Sequence, residues 1–247
     1  MNLILLGFLA SLAAGLATGV GALPVLFTKK ISDKLMDGML GFAAGVMLSA
    51  TAFSLIVPAI EIGGVWITVF GFLFGVLFLD FIDRLIPHMH FISGLEGPFS
   101  SFRRVMLLIL AITIHNFPEG VSVGVSFGTG DVNIGIVIAL AIGLQNMPEG
   151  LAVALSLMRE KYSRRKALML ATLTGFVEPV GGFLGVSVVT IFYSLLPLGL
   201  SFAAGAMMFV VSDEMIPESH RKGHERIATF GVIVGFSIMI VLDNLFG

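Results

Sequence analysis

Two copies of one six-residue pattern hold most of the polar side chains that could do chemistry in this chain. His-Asn-Phe-Pro-Glu-Gly occupies positions 115–120, and Gln-Asn-Met-Pro-Glu-Gly occupies positions 145–150. In each copy an imidazole or amide lies four residues before a glutamate and shares its helix face, with an asparagine beside it. The six candidate ligands are His115, Asn116, Glu119, Gln145, Asn146 and Glu149. Such nitrogen and oxygen donors suit borderline divalent ions such as Zn²⁺ and Fe²⁺, and also Mn²⁺ or Cd²⁺.

The composition indicates that lipid surrounds the elements that carry this pattern. Of the 247 residues, 57% are hydrophobic and 12% are charged, and the mean hydropathy is +1.03. A soluble domain carries roughly 25% charged residues, so these values exclude a soluble enzyme, a disordered chain and a nucleic-acid-binding protein. The absence of cysteine excludes disulfides and thiolate metal sites. We therefore predict an all-α integral membrane protein embedded in the lipid bilayer.

Eight apolar runs of about 20 residues predict eight transmembrane helices in one domain that covers residues 1–247. The predicted spans are 3–27, 38–60, 63–86, 104–127, 132–158, 166–192, 198–216 and 227–246. With eight crossings, all 14 lysines and arginines fall on one side, which the positive-inside rule assigns to the cytoplasm. Both termini are therefore expected outside the cytoplasm, and the short loops favour a bacterial inner membrane.

The first three and the last three spans resemble each other when the sequence is shifted by 160 residues. Gly15 then aligns with Gly175, and Phe-Ala-Ala-Gly at 42–45 aligns with the same four residues at 202–205. Because five spans separate the first from the sixth, the two copies must insert in opposite directions. Inverted repeats are typical of transporters with a substrate site near the bilayer midplane; the alternative is chance agreement among glycine- and alanine-rich helices. The predicted arrangement is 3+2+3, with spans 1–3 and 6–8 as an inverted repeat.

Both motifs lie halfway along their spans, and Glu178 lies at the same depth in the sixth span. Three carboxylates at this depth are costly if they are ionised and unpaired, and no lysine or arginine lies there to neutralise them. A bound cation or a proton must do so. Pro118 and Pro148 kink their helices and free backbone carbonyls, while Met47 offers one sulfur at mid-depth in the second span. A proton relay that includes His115, or simple hydrogen bonding between helices, is the alternative.

Together with Glu178 and Pro179 of the sixth span, the paired motifs resemble the ZIP (Zrt-, Irt-like protein) family of divalent metal transporters. The resemblance covers the whole chain, and the glutamine that opens the second motif is similar to the bacterial GufA-type branch. It implies a binuclear metal centre in the transport path. The implied ligands of the first ion are His115, Glu119, Gln145 and Glu149, with Met47 nearby. The implied ligands of the second are Asn116, Asn146 and Glu178, with Glu119 and Glu149 bridging.

Asn146 stands where some members of the family carry aspartate. With asparagine, the centre holds three negative charges against the four positive charges of two divalent ions. This imbalance argues against permanent occupancy of the second position.

A second group of candidate ligands lies toward the cytoplasmic ends of the predicted spans. Its members are Asp83, His88, His90, Asp213 and Glu214. Members of the family often carry a histidine-rich loop between spans 3 and 4, and here His88 and His90 are its only histidines. We predict a low-affinity exit relay, to which His220 could be added. Asp80 joins the relay or pairs with Arg84 four residues on; the alternative for the whole group is plain solvation.

These features predict a transporter that moves a divalent transition metal into the cytoplasm. Zn²⁺ is the leading substrate, with Fe²⁺, Mn²⁺ or Cd²⁺ as alternatives, and we expect no organic cofactor and no enzymatic activity. The resemblance also implies a homodimer and a sliding movement of one helix group against the other. The rivals are a membrane-embedded metal-dependent hydrolase, in which the ion activates water, and a proton-relay cation exchanger.

Overall fold

The computed structural model describes residues 2–28, 31–86, 88–90, 94–96 and 104–246, with the backbone alone at 88–90, 94–96 and 104–108. Within these ranges the chain forms ten α-helices and one short β-hairpin. The helices are α1 (Leu3–Ala22), α2 (Asp33–Ser49), α3 (Val57–Leu85), α4 (Arg104–Phe127), α5 (Val132–Arg159), α6 (Arg164–Thr174), α7 (Glu178–Ile191), α8 (Leu196–Val210), α9 (Ile216–His220) and α10 (Glu225–Phe246). Short 3₁₀ turns follow α1 and precede α7 and α8, and π-helical segments join α2 to α3 and α8 to α9.

Polar caps set the helix starts, and they lie outside the apolar runs. Ser32 accepts a hydrogen bond from the Leu35 N–H, so α2 begins five residues before the predicted span. Asp131 caps α5 through the Asn133 N–H at 2.8 Å, and Ser163 caps α6 in the same way. Hydropathy alone does not detect such caps, because they are polar residues that end the apolar signal.

The helices α2 and α3 form one continuous stretch, Asp33–Leu85, across the π-helical segment Ala50–Ile56. Gly64 interrupts this stretch with φ 76° and ψ 166°, a conformation that favours glycine. In the part of the chain that the structure describes, six helical stretches are long and apolar enough to cross a bilayer. They are Leu3–Leu26, Asp33–Leu85, Val132–Arg159, Arg164–Ile191, Tyr193–His220 and Glu225–Phe246.

One element departs from the all-α prediction. His88–His90 (β1) pairs antiparallel with Gly94–Glu96 (β2), with His88 opposite Glu96. Pairing between two halves of a short connection satisfies backbone groups that have no helix to join. The hairpin lies in the connection between α3 and α4 and does not alter the helical character of the rest.

The helices pack in two groups, and each group contains two pairs of helices. On one side α2 packs along α10 and α3 along α8; on the other α1 packs along α5 and α4 along α7. Glycines lie at these crossings, since a Cβ on Gly45 would overlap the carbonyl oxygen of Val232 in α10. The helix α1 meets the 3₁₀ turn before α7 in the same way, because Gly15 and Gly175 each face the other's carbonyl oxygen. Close approach through small residues is how helices associate without a hydrophobic driving force between them.

The outer face of the bundle is apolar. Phe27, Trp66 and Phe70 expose 86%, 83% and 65% of their surface. Exposed apolar area on this scale is untypical of a protein in water. Together with the six apolar stretches, it identifies an integral membrane protein.

Candidate metal centre

The helices α4 and α5 bring the two motifs into the interior of the bundle. His115 is 6% exposed, while Asn116 and Glu119 are 1% exposed and Gln145 is fully buried. Glu149 is half-buried, but its Oε1 atom is buried and has no hydrogen-bond partner among the described residues. A proline lies inside each helix, Pro118 in α4 and Pro148 in α5. Both motifs therefore face protein rather than lipid.

Hydrogen bonds fix the α5 half of the centre against α7 and α1. Gln145 Nε2 donates to Asn146 Oδ1 at 3.1 Å, and Asn146 Nδ2 donates to Glu178 Oε1 at 2.8 Å. Asn146 Nδ2 also donates to the backbone oxygen of Ala14 at 2.8 Å. Glu178 is fully buried at the first position of α7, directly after a 3₁₀ turn that breaks the helical stretch 164–191. The break allows a carboxylate from α7 to reach the centre.

The three glutamates are close enough for their charges to repel one another. Glu178 is repelled by Glu119 and Glu149, and Glu149 also by Glu214. Glu119 in turn interacts with Gln145 and His115. Among the described residues, none of the three glutamates forms an ion pair with lysine or arginine. Ionised carboxylates in this arrangement need a cation of another kind.

Glu214 joins the centre to a second cluster. Its Oε1 atom lies 2.5 Å from His115 Nε2, and both side chains are largely buried. Glu214 lies in the π-helical segment Val211–Met215, which follows α8. Oxygen atoms of Asp83, Asp213 and Glu214 all lie within 4.8 Å of one another, a spacing that suits one metal ion. Of the predicted relay, these three carboxylates are brought together at one point.

The other predicted site residues have different surroundings. Met47 is fully buried on α2, and its role beside the first ion stays a prediction. The side chains of His88 and His90 lie outside the described residues. His220 instead bonds through Nδ1 to the Ile216 carbonyl at 2.9 Å, and Asp80 pairs with Arg84 at 2.9 Å.

A cavity of about 60 Å³ opens beside the centre. His115, Glu149 and Glu214 line it, and so does Glu218, which the sequence reasoning did not include. The spacing of four residues between Glu214 and Glu218 could have suggested a shared face. One water needs roughly 10–15 Å³, so the cavity has room for a partly hydrated ion.

A smaller cavity of about 30 Å³ continues from Glu218 toward Asp33, Arg159 and Lys222. Lys222 Nζ lies 2.6 Å from Asp33 Oδ1, and Arg159 Nη2 lies 3.5 Å from the same atom. Glu218 thus lines both cavities and lies between the centre and a charged surface at the helix ends.

Comparison with known proteins yields one consistent family. The profile described as ZIP Zinc transporter matches residues 93–243. The zinc transporter GufA of Myxococcus xanthus is 46% identical over 98% of this chain and 99% of its own length. The zinc transporter ZIPB of Bordetella bronchiseptica is 42% identical over 95% of this chain and 80% of its own length. The zinc transporter ZupT of Corynebacterium glutamicum is 39% identical over 98% of this chain and 100% of its own length.

Proposed function

The chain belongs to the ZIP family of zinc transporters, and from this we propose that it carries divalent transition-metal ions, foremost zinc, into the cytoplasm. It is a membrane transporter and not an enzyme. The observation that carries the proposal is the convergence of Glu119, Glu149 and Glu178 in the interior, without a lysine or arginine partner among the described residues. Such a group attracts a divalent cation and replaces part of its hydration shell.

We assign the ligands to two ion positions. The first position takes His115, Glu119, Gln145 and Glu149, with Met47 nearby. The second takes Asn116, Asn146 and Glu178, and Glu119 and Glu149 bridge the two ions. The hydrogen bond from Asn146 to Glu178 supports this assignment, because it holds the two side chains together and leaves the second oxygen of Glu178 buried without a partner among the described residues. Three carboxylates against two divalent ions leave one positive charge uncompensated, so the second ion is held less tightly.

The ion leaves the centre through the cluster of Asp83, Asp213 and Glu214. Glu214 is the connection, because its carboxylate touches His115 and also belongs to this cluster. The cavity along Glu149, Glu214 and Glu218 supports a path that continues toward the charged helix ends. His88 and His90 are proposed as the last members of the relay. Neighbouring carboxylates that bind a cation with similar affinity let it move from one to the next without being held tightly at any of them.

We propose eight membrane crossings in a 3+2+3 order, with the helices before α4 and after α5 as an inverted repeat. The stretch Asp33–Leu85 has 53 residues, which at about 1.5 Å per residue is more than twice a bilayer core of roughly 30 Å. Gly64 is a natural point of reversal within it. The 24 residues of α4 provide a further crossing. The positive-inside rule supports the proposal that both termini lie outside the cytoplasm, and the short loops support a bacterial inner membrane.

Alternating access follows from a displacement of one helix group against the other around the fixed centre. The packing of α1 on α5 and of α4 on α7 favours these helices as one group, and the packing of α2 on α10 and of α3 on α8 favours the second. The ion is cargo, and no organic cofactor takes part. A homodimer within the bilayer is proposed from the family resemblance.

Zinc is proposed as the main substrate because the donor set combines imidazole, carboxylate and amide groups, and because the relatives are named zinc transporters. The same donors accept Fe²⁺, Mn²⁺ and Cd²⁺. The absence of cysteine in the chain disfavours Cu⁺, which binds thiolates.

The test is metal flux into proteoliposomes that contain a Zn²⁺-responsive dye. Wild type is compared with Glu149→Ala, and with Glu61→Ala as a control, because Glu61 is an exposed glutamate remote in sequence from the motifs. Zn²⁺ influx that is lost only in Glu149→Ala supports the proposal. Absence of flux in wild type for Zn²⁺, Fe²⁺, Mn²⁺ and Cd²⁺, with and without a pH gradient, refutes it. Proton movement without metal would instead support the proton-relay exchanger.

A further inference from the structure

Thr18 of α1 occupies the position that Glu178 occupies in the other copy of the repeat. The two are 160 residues apart, the same shift that aligns Gly15 with Gly175. The contacts repeat as well: a Cβ on Gly120 would overlap the Glu178 carbonyl oxygen, and one on Gly150 would overlap the Thr18 carbonyl oxygen. Because Gly120 and Gly150 hold equivalent places in the two motifs, Thr18 lies opposite Glu178 across the pseudo-twofold axis of the centre.

The two sides of this axis differ in how their polar atoms are satisfied. On the Glu178 side, Asn146 donates a hydrogen bond to the carboxylate at 2.8 Å. On the Thr18 side, the equivalent asparagine is Asn116, and neither Asn116 Oδ1 nor Thr18 Oγ1 has a hydrogen-bond partner among the described residues. Both residues are only 1% exposed. A threonine hydroxyl is two bonds shorter than a glutamate carboxylate, which accounts for the lack of a direct contact.

Buried polar atoms in native proteins are nearly always paired, either with protein groups or with ordered water. Asn116 Oδ1 has two lone pairs, of which the second ion takes one, so one lone pair of Asn116 and the Thr18 hydroxyl are left unpaired. Because α1 and α4 pack together beside a cluster of carboxylates, these two groups point to a third group between them. A water molecule fits this role, because it accepts a hydrogen bond from the Thr18 hydroxyl and donates one to Asn116 Oδ1. Its remaining lone pair is then free to bind a cation, and its second hydrogen can reach a carboxylate.

We infer that Thr18 and Asn116 hold a water molecule that serves as a ligand of the second ion, in the place where the pseudo-symmetry would otherwise put a carboxylate. The inference rests on the proposed function and deepens it, because it adds Thr18 to the centre. A neutral ligand on this side keeps the total at three carboxylates. The second position consequently binds an ion that is still partly hydrated, and it releases that ion readily.

The test is calorimetric titration of Zn²⁺ into the purified full-length protein, combined with the dependence of liposome flux on Zn²⁺ concentration. Thr18→Val removes the hydroxyl at almost constant volume, and Thr18→Ala does so if valine does not fit. We expect the loss of one hydrogen bond to the water molecule to weaken binding of the second ion by roughly five- to thirty-fold, while binding of the first ion is unchanged. Thr18→Ser restores wild-type binding, and Thr113→Val is the matched control, since Thr113 bonds its own helix at the Ile109 carbonyl, 2.7 Å away.

A carboxylate at position 18 is expected to change the affinity for the second ion in the opposite direction. Thr18→Glu is expected to bind the second ion at least ten-fold more tightly and to lower the maximal flux. A general loss of stability would not produce the tighter binding. Wild-type binding of both ions by Thr18→Val, or a wild-type protein that binds a single ion, overturns the inference even when zinc is transported. A wild-type protein that transports no metal refutes the proposed function itself, so the two failures are distinguishable.

Discussion

Replacing Glu119 by glutamine tests the electrostatic basis of the centre. Glu119 is 1% exposed, interacts with Gln145 and His115, and repels Glu178. Glu119→Gln keeps the size of the side chain but lowers the negative charge of the centre from three to two. Removing one partner of a buried charge pair costs about 3–5 kcal/mol, which corresponds to roughly a hundred- to several-thousand-fold in affinity. We expect binding of the second ion to disappear and the flux at micromolar Zn²⁺ to fall by at least a hundred-fold.

The chain offers a matched control in the neighbouring motif. Gln145→Glu adds a carboxylate at a fully buried position beside Glu119. The double variant Glu119→Gln/Gln145→Glu therefore has the charge of the wild type and differs from it only in which helix carries the carboxylate. If charge dominates, the double variant binds Zn²⁺ at least ten-fold more tightly than Glu119→Gln alone.

The assay is Zn²⁺ titration of each purified variant, together with initial flux in proteoliposomes at several Zn²⁺ concentrations. Thermal unfolding in detergent shows whether each variant is folded. Wild-type affinity and flux in a folded Glu119→Gln protein would refute the reasoning, because the ion would then not need this carboxylate. A double variant no better than the single one would show that the position of the carboxylate matters more than its charge.

Three further predictions concern packing, release and the surface. Gly150→Ala puts a Cβ into the Thr18 carbonyl oxygen and is expected to cost about 1–3 kcal/mol in thermal unfolding, whereas Gly143→Ala on the same helix, whose nearest neighbour would lie 3.8 Å away, is expected to be neutral. Asp213→Asn removes one carboxylate from the cluster of Asp83, Asp213 and Glu214. We expect the maximal flux to fall, while the Zn²⁺ concentration that gives half-maximal flux changes little. A maximal flux equal to that of the wild type, measured over a series of Zn²⁺ concentrations, would exclude Asp213 from the transport path. Asp33→Asn breaks an exposed ion pair and is expected to cost less than about 1 kcal/mol, a difference in melting temperature that disappears in high salt.

The apolar runs made the helical nature of the chain predictable, and the paired motifs did the same for its candidate ligands. A spacing of four residues places His115 and Glu119 on one face whatever the tertiary structure, and the apolar runs on both sides require that face to be covered. The lack of cationic side chains at that depth was equally visible in the sequence. These features depend on local geometry and on composition, and both can be read without coordinates.

The place of Glu214 depends on a change of helix type that the sequence does not signal. In the π-helical segment Val211–Met215 the backbone hydrogen bonds span five residues instead of four, which rotates every later side chain relative to an α-helical extrapolation. Glu214 was predicted in a relay near the cytoplasmic end, and in the structure its carboxylate also touches His115. Glu218 follows Glu214 by four residues, a spacing that suggests a shared face, but only the structure shows that both line one cavity with His115 and Glu149.

The matching glycine contacts bear on the origin of the proposed inverted repeat. A segment in which Gly15 meets Gly175 and in which Gly120 and Gly150 receive equivalent carbonyl oxygens can associate with an inverted copy of itself. Duplication of one gene and fusion of the two copies yields such a chain. Each copy then no longer has to suit both orientations in the membrane. Positions 18 and 178 can then carry different side chains without damage to the fold, because their backbone carbonyls make the close contacts with Gly150 and Gly120. Threonine on one side and glutamate on the other is the outcome expected of that freedom.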